Sequence, residues 1–195
     1  MEQLQASEHP VRLVNNDDLQ RSRVTVFFRL LLAIPHFVWL ALWSVVASLA
    51  AFVGWFVAVF TGRLPDALHG FLARYVRYLT HVYAYYHLLS EPFPGFGGQP
   101  GYAVDLDVDA PQTQNRATVL FRLLLAIPAF LISYVLRGLM AALAFIGWFY
   151  ALATGRMSEG IETLGNYALR YEAQTWAYTL LVTERYPSLG GAPAA

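Results

Sequence analysis

The sequence predicts an all-α integral membrane protein of two tandem parallel repeats. Each would be an interfacial helix plus a two-helix transmembrane hairpin, about four crossings in all, with short β-strands at the membrane surface. Three observations predict it. The 195 residues are 57% hydrophobic and only 13% charged, about half the charged fraction of an ordinary soluble domain. No residue from Leu30 to Phe60 carries a formal charge, a run of 31, where about 20 suffice for a helix to cross a bilayer. Residue n also matches residue n+93 without a gap over 85 positions, 30 of them identical, which marks a duplication.

The duplication divides the chain into a tail (1–9), repeat one (10–94), a Pro/Gly linker (95–102), repeat two (103–187) and a tail (188–195). Phe28 to Pro35 returns as Phe121 to Pro128, Gly54-Trp55-Phe56 as Gly147-Trp148-Phe149, and Thr61-Gly62-Arg63 as Thr154-Gly155-Arg156. Each copy opens on an alternating stretch, Val11–Val14 and Val104–Val108, whose period of two predicts a short strand. Two such strands could pair at the membrane surface. Pro35 then predicts a break, separating an interfacial helix over 21–34 from a crossing over 36–60. The next helix, 66–90, starts at Asp66 as N-cap and is long enough to return. The first twenty residues lack a signal peptide, so the first apolar segment would direct insertion. Arg12, Arg21, Arg23, Arg29, Arg116, Arg122 and Arg185 would then share one side, and the positive-inside rule places both termini in the cytoplasm. Two crossings per copy make the repeats parallel, with a pseudo-two-fold axis along the membrane normal.

Chemistry-bearing motifs are scarce. There is no Cys, no Gly-x-Ser-x-Gly elbow and no phosphate loop, so catalytic and cofactor-binding residues are expected to be none. His36, His69, His81 and His87 all lie in copy one, opposite Ala129, Glu162, Gln174 and Leu180. A site built by the repeat would use both copies, so no metal or haem is expected. Asp105, Asp107 and Asp109 lack the Gly and distal Glu of a calcium loop and read as a solvated strand face. Zero net charge gives no reason to expect nucleic acid.

The remaining candidates are structural or lipid-facing. Arg29, Arg122, Arg63 and Arg156 flank the crossings and read as lipid-headgroup contacts that snorkel. Gly54 and Gly147 permit close helix packing. Arg74, Arg77 and His81 fall on one helical face and, with Arg170, would line a polar groove between the repeats. Arg137 stands where copy one has Ser44, about 12 Å into a crossing, and an isolated Arg there costs at least about 2.5 kcal/mol. Copy two alone also carries Glu172, so the two are expected to pair.

The run from Arg29 to His36, the Gly54-Trp55-Phe56 and Thr61-Gly62-Arg63-Leu64-Pro65 elements and the closing Glu91-Pro92-Phe93-Pro94 resemble a bacterial, chiefly actinobacterial, membrane family known as domain-of-unknown-function family 4389. The resemblance covers both copies. Copy two departs from it at Met157-Ser158 and Ala129. It implies a membrane protein and supplies no activity or catalytic residues. The expected function is a non-catalytic accessory or scaffold subunit of a bacterial inner-membrane complex. Its partners would be membrane lipids and other membrane subunits or a second copy. The alternative is a lipid-binding or small-solute transport protein using the Arg-lined groove.

Overall fold

The computed structural model describes residues 9–190; most of the N-terminal tail and the end of the C-terminal one lie outside these. The elements are β1 (Val11–Asn15), α1 (Arg23–Thr61), α2 (Asp66–Tyr86), β2 (Val104–Val108), α3 (Arg116–Leu120), α4 (Arg122–Thr154) and α5 (Glu159–Thr179). The duplication is visible throughout, α1 and α2 answering α3/α4 and α5. Two helices, α1 and α4, are long and apolar enough to cross a membrane.

Pro35 does not end a helix. The expected interfacial helix and crossing are one α-helix of 39 residues with Pro35 inside it, about 58 Å long. Proline removes one i to i−4 bond, but the buried stripe Val26, Arg29, Ala33, His36 and Leu40 keeps a single helical register through it. In copy two the interruption falls at Phe121, between α3 and α4, and Pro128 is again inside the helix. Both long helices stop at the glycine of Thr-Gly-Arg. Gly62 and Gly155 take φ of 75° and 73°, and their N–H groups donate to Ala58 O and Ala151 O, the left-handed cap that glycine adopts without penalty.

The two copies embrace antiparallel rather than parallel. At one end the entry to α1 meets the turn of copy two, with Gln20 bridging Arg156 and Arg21 N–H donating to Gly155 O at 2.9 Å. At the other the entry to α3 meets the turn of copy one, with Thr113 bridging Arg63 and Gln114 N–H donating to Gly62 O at 2.7 Å. The two tryptophans of the repeated Gly-Trp-Phe follow the same exchange: Trp55 Nε1 donates to Val119 O at 2.9 Å and Trp148 Nε1 to Val26 O at 3.1 Å. The strands obey the same axis. β1 and β2 pair antiparallel about Leu13 and Leu106, equivalent residues, with Val11 opposite Val108 and Asn15 opposite Val104.

Three layers result. The sheet covers the inner helices, β1 running along α5 from Gln174, which donates to Val11 O at 3.0 Å, to Glu162, which accepts from Asn15 at 2.9 Å. β2 lies on α2, where Arg77 Nε donates to Leu106 O at 2.9 Å. Beneath them α2 and α5 pack together, and the long helices pack below that, touching neither strand. Only a narrow stripe of α1 is buried; Leu31, Val38, Leu42, Val45, Leu49, Phe52 and Phe60 stand exposed, as do Leu124, Leu131, Val135, Phe145 and Phe149 on α4.

Gly54 serves the hairpin within its own copy. A Cβ there would lie 2.5 Å from Leu64 Cδ1, and one on Gly147 2.9 Å from Met157 Cε, so the chain after each turn folds back onto the glycine. Leu64 is fully buried and has little room to yield. Gly54→Ala should therefore lower stability by about 1 kcal/mol or more. Gly70→Ala, where a Cβ meets nothing within 4 Å, should raise it by about 0.5–1 kcal/mol. Thermal unfolding in detergent reads both.

Candidate functional site

Arg29 and Arg122 are the largest fully buried side chains, 2% and 1% exposed, and do not reach toward lipid headgroups. Arg29 Nη1 donates to Tyr85 O at 2.9 Å and Ser90 O at 3.1 Å, Nη2 pairs with Glu91 at 2.6 Å, and the guanidinium lies over the Tyr85 ring. Arg122 repeats this on Tyr178 O, Thr183 O and the Tyr178 ring, with Gln114 replacing the carboxylate. The physical reason is the end of the second helix, whose free carbonyls concentrate partial negative charge and bind a cation more firmly than snorkelling would. Leu88 and Leu181 follow there with φ of 65°, a left-handed conformation costly for a branched side chain. Arg21 Nε and Gln114 Nε2 donate to their carbonyls, holding the strained turn in both copies. Arg63 and Arg156 are exposed, Arg63 pairing with Asp66 at 2.8 Å.

The Arg-lined groove expected between the repeats does not form. His81 Nε2 lies 2.8 Å and Arg77 Nε 3.3 Å from Asp105 Oδ1, closing that face under the sheet. Arg170 is buried with its guanidinium over the Tyr167 ring, and Arg74 sits on the outer flank, exposed. The strand turns these groups inward, which a single-helix projection cannot show. Burial opposes ionisation of Asp105, but hydrogen bonds from His81 and from the N–H groups of Gly101 and Leu106 outweigh it and hold the carboxyl at about 2.

The structure brings Arg137 and Glu172 together. Arg137 Nη2 pairs with Glu172 Oε1 and Nε donates to Oε2 at 3.3 Å, while Trp176 Nε1 donates to the same carboxylate at 3.3 Å. Glu172 is fully buried and the Arg137 side chain is 43% exposed, so the carboxylate depends on the arginine. The histidines find separate partners: His36 Nδ1 on Tyr78 Oη at 2.8 Å, His69 on Val182 O at 3.0 Å and His87 on Tyr83 O at 2.9 Å, while the buried His36 Nε2 and His81 Nδ1 have none among the described residues. Among the described residues no three His, Asp or Glu side chains gather to hold a metal ion.

Two clefts open on the long helices. An apolar one of about 390 Å³ lies between the repeats, along Leu30, Leu88, Ala144, Phe145 and Trp148. The other, about 550 Å³, belongs to copy one alone and is walled by Trp39, Trp43, Phe71 and Phe96 with Arg74 beside them. The duplication itself carried the signal for the second, because the counterparts of these five residues are Ile132, Leu136, Leu164, Leu189 and Tyr167.

Residues 23–97 and 116–189 each match the model of a family described as a domain of unknown function, DUF4389. No curated protein and no solved structure matches the chain.

Two expectations follow from the ion pairs. Removing either partner of the Arg137–Glu172 pair strands a charge, so Arg137→Met and Glu172→Met should each destabilise by more than the double variant does. A double-mutant cycle of melting temperatures in detergent would show a favourable coupling, and additive losses would disprove it. Asp105 is depressed from 3.8 to about 2, so its stabilisation of about 2 kcal/mol is complete above pH 4 and is lost as pH falls through 2. Asp105→Asn should accordingly melt lower than wild type at pH 7, with most of that difference gone by pH 2.

Proposed function

We infer that this chain, which belongs to the domain-of-unknown-function family 4389 through both of its halves, is a non-catalytic membrane-embedded module, an accessory or scaffold subunit of a bacterial inner-membrane complex. The observation that carries this reading is the uncovered apolar surface of α1 and α4, opposite a polar sheet. Surfaces of that extent do not face water in monomeric soluble proteins.

The antiparallel embrace favours a particular embedding, with the pseudo-two-fold axis along the membrane normal. The long helices then lie in the hydrocarbon of one leaflet side, and the sheet faces the cytoplasm with both described ends of the chain. Ser188 N–H, close to the C-terminal end, donates to Gln174, which itself donates to β1. Four upright crossings fit less well. They would carry Arg12, Asp105 and Asp107 of the sheet, and the segment joining the copies, through the hydrocarbon beside α2 and α5. Open sheet edges and charges are costly there. The charge-free run from Leu30 to Phe60 is also about 46 Å long, well beyond the roughly 30 Å of hydrocarbon.

Since the chain has no cysteine, single thiols report sidedness directly. Asp107→Cys, Arg63→Cys and Arg156→Cys should all react with a membrane-impermeant maleimide from the cytoplasmic side, and Leu49→Cys only after detergent is added. Upright parallel hairpins would instead expose positions 63 and 156 on the far side, and upright antiparallel ones would split them. For the accessory role, purification in mild detergent should retain a stoichiometric membrane-protein partner. A chain that purifies alone, with no membrane-protein partner, would overturn this role whether or not lipid accompanies it.

A further inference from the structure

The copy-one cleft has the makings of a binding site that the scaffold does not require. Its aromatic wall is held in place by bonds that leave other groups free. Trp39 Nε1 donates to Phe96 O at 2.9 Å, anchoring the start of the linker onto α1. The linker is also pinned to α2: Gly98 takes a φ of 60°, and a Cβ there would collide with the backbone carbonyl of Arg74. Only glycine satisfies both conditions. His36, fully buried, stacks on Phe96 with centroids 4.6 Å apart and supports the wall from behind.

Two donors are left over. Arg74 uses its Nε on Gly70 O at 3.3 Å and enters no ion pair among the described residues. Trp43, stacked on Tyr78 at 5.3 Å, has no hydrogen-bond partner for its indole N–H among them. No acidic side chain lines the cleft. Its floor is continuous with the exposed apolar face of α1 through Leu42 and Val46, 59% and 53% exposed. A positive, donor-rich edge joined to an apolar channel matches a molecule with an anionic head and a hydrocarbon tail. A guanidinium beside aromatic rings suits a phosphate or carboxylate head, which it can engage through two parallel bonds.

We propose that the cleft of copy one seats a single anionic amphiphile, its phosphate or carboxylate on Arg74 and its chain along Trp39, Leu42, Trp43 and Val46. Copy two keeps the fold and lacks the site, because Tyr167 replaces the arginine and aliphatic residues replace the tryptophans. The cleft is distinct from the Arg-lined groove between repeats, since Arg77, His81 and Arg170 take no part. It is also independent of the embedding above, because binding can be measured in micelles where no bilayer sets an orientation.

Native mass spectrometry of the full chain, titrated with phosphatidylglycerol or phosphatidylethanolamine in a neutral detergent, tests it. One phosphatidylglycerol should bind more tightly than any phosphatidylethanolamine. Loss of a charge-assisted contact predicts that Arg74→Gln weakens that site about tenfold. Trp39→Ile with Trp43→Leu, the residues of copy two, should weaken it comparably. Arg156→Gln should change nothing. Arg74 is exposed, so its variant should melt with wild type, which separates lost binding from lost folding. Two equivalent lipids per chain, no preference for the anionic head, or full affinity in Arg74→Gln would overturn the proposal. Complete displacement by millimolar inorganic phosphate would also overturn it, by showing that the anion alone is recognised.

Discussion

Neither copy can finish its own long helix. The backbone entering α1 is satisfied by the turn of copy two, and the backbone entering α3 by the turn of copy one, through Arg21 to Gly155 and Gln114 to Gly62. Trp148 and Trp55 reinforce the two junctions by donating to the first turns they meet. Unpaired backbone groups at a helix entry are costly away from water, and the reciprocal exchange removes that cost at both ends together. The rest of the architecture follows from it. Once each entry is tied to the other copy's turn, α1 and α4 must run antiparallel and the two-fold axis must pass between them. The equivalent strands can then pair only about their equivalent residues, as Leu13 and Leu106 do.

That axis also sorts the chemistry by face. Val11, Leu13, Val104 and Leu106 point from the sheet into the core, while Asp107 stays outside and Asp105 turns under to meet His81 and Arg77. On the opposite side α1 buries a narrow stripe in which the small residues Ala33, Ala47, Gly54 and Ala58 accompany Arg29, His36 and Leu40. Close approach through small side chains leaves the bulky ones, Phe52, Leu49 and their neighbours, for the outside. The result is one polar face, carried by the sheet, opposite one apolar face, carried by the long helices.

The elements legible in the sequence were those whose signals are local. The 93-residue period marked the two equivalent helical units, the alternation marked both strands, and an uncompensated Arg137 led to Glu172 because a charge at depth needs a partner nearby in sequence or fold. The rest depended on long-range geometry. Pro35 reads as a break because proline removes one hydrogen bond, yet the loss is confined to one turn while the buried stripe on either side stays in phase. Arg29 reads as a snorkelling cation because its sequence neighbours are apolar. Its true partners, Tyr85, Ser90 and Glu91, lie about sixty residues away at the end of another helix. The direction in which two copies associate leaves almost no trace in either copy's own pattern, so the parallel arrangement rested on the expected number of crossings alone. Leu88 and Leu181 show the limit most clearly, since a left-handed residue normally announces itself as Gly or Asn. Here the buried leucine side chain is kept and the turn is held by Arg21 and Gln114 instead.

Those two residues also show how the copies diverged without losing the fold. In copy one position 21 is an arginine, tied to Asp17 at 2.6 Å, so Arg29 close by requires a carboxylate of its own and takes Glu91. In copy two the equivalent residue is Gln114, whose amide can serve both needs at once, donating to Leu181 O and accepting from Arg122. Glu184 is thereby released from the arginine and accepts from the Asn115 N–H, as Glu91 also does for Ser22. The clamp survives with different charge because the helix-end carbonyls, common to both copies, are its constant part. Substitutions that leave those carbonyls and the exchanged junctions intact are therefore tolerated. They accumulate where the two-fold axis makes no demand, on the flanks of α1 and α4. Copy one carries Trp39 and Trp43 on α1 with Arg74 on α2, and copy two carries Arg137 on α4 with the buried Glu172 on α5, so the same scaffold presents two different surfaces to whatever lies beside it.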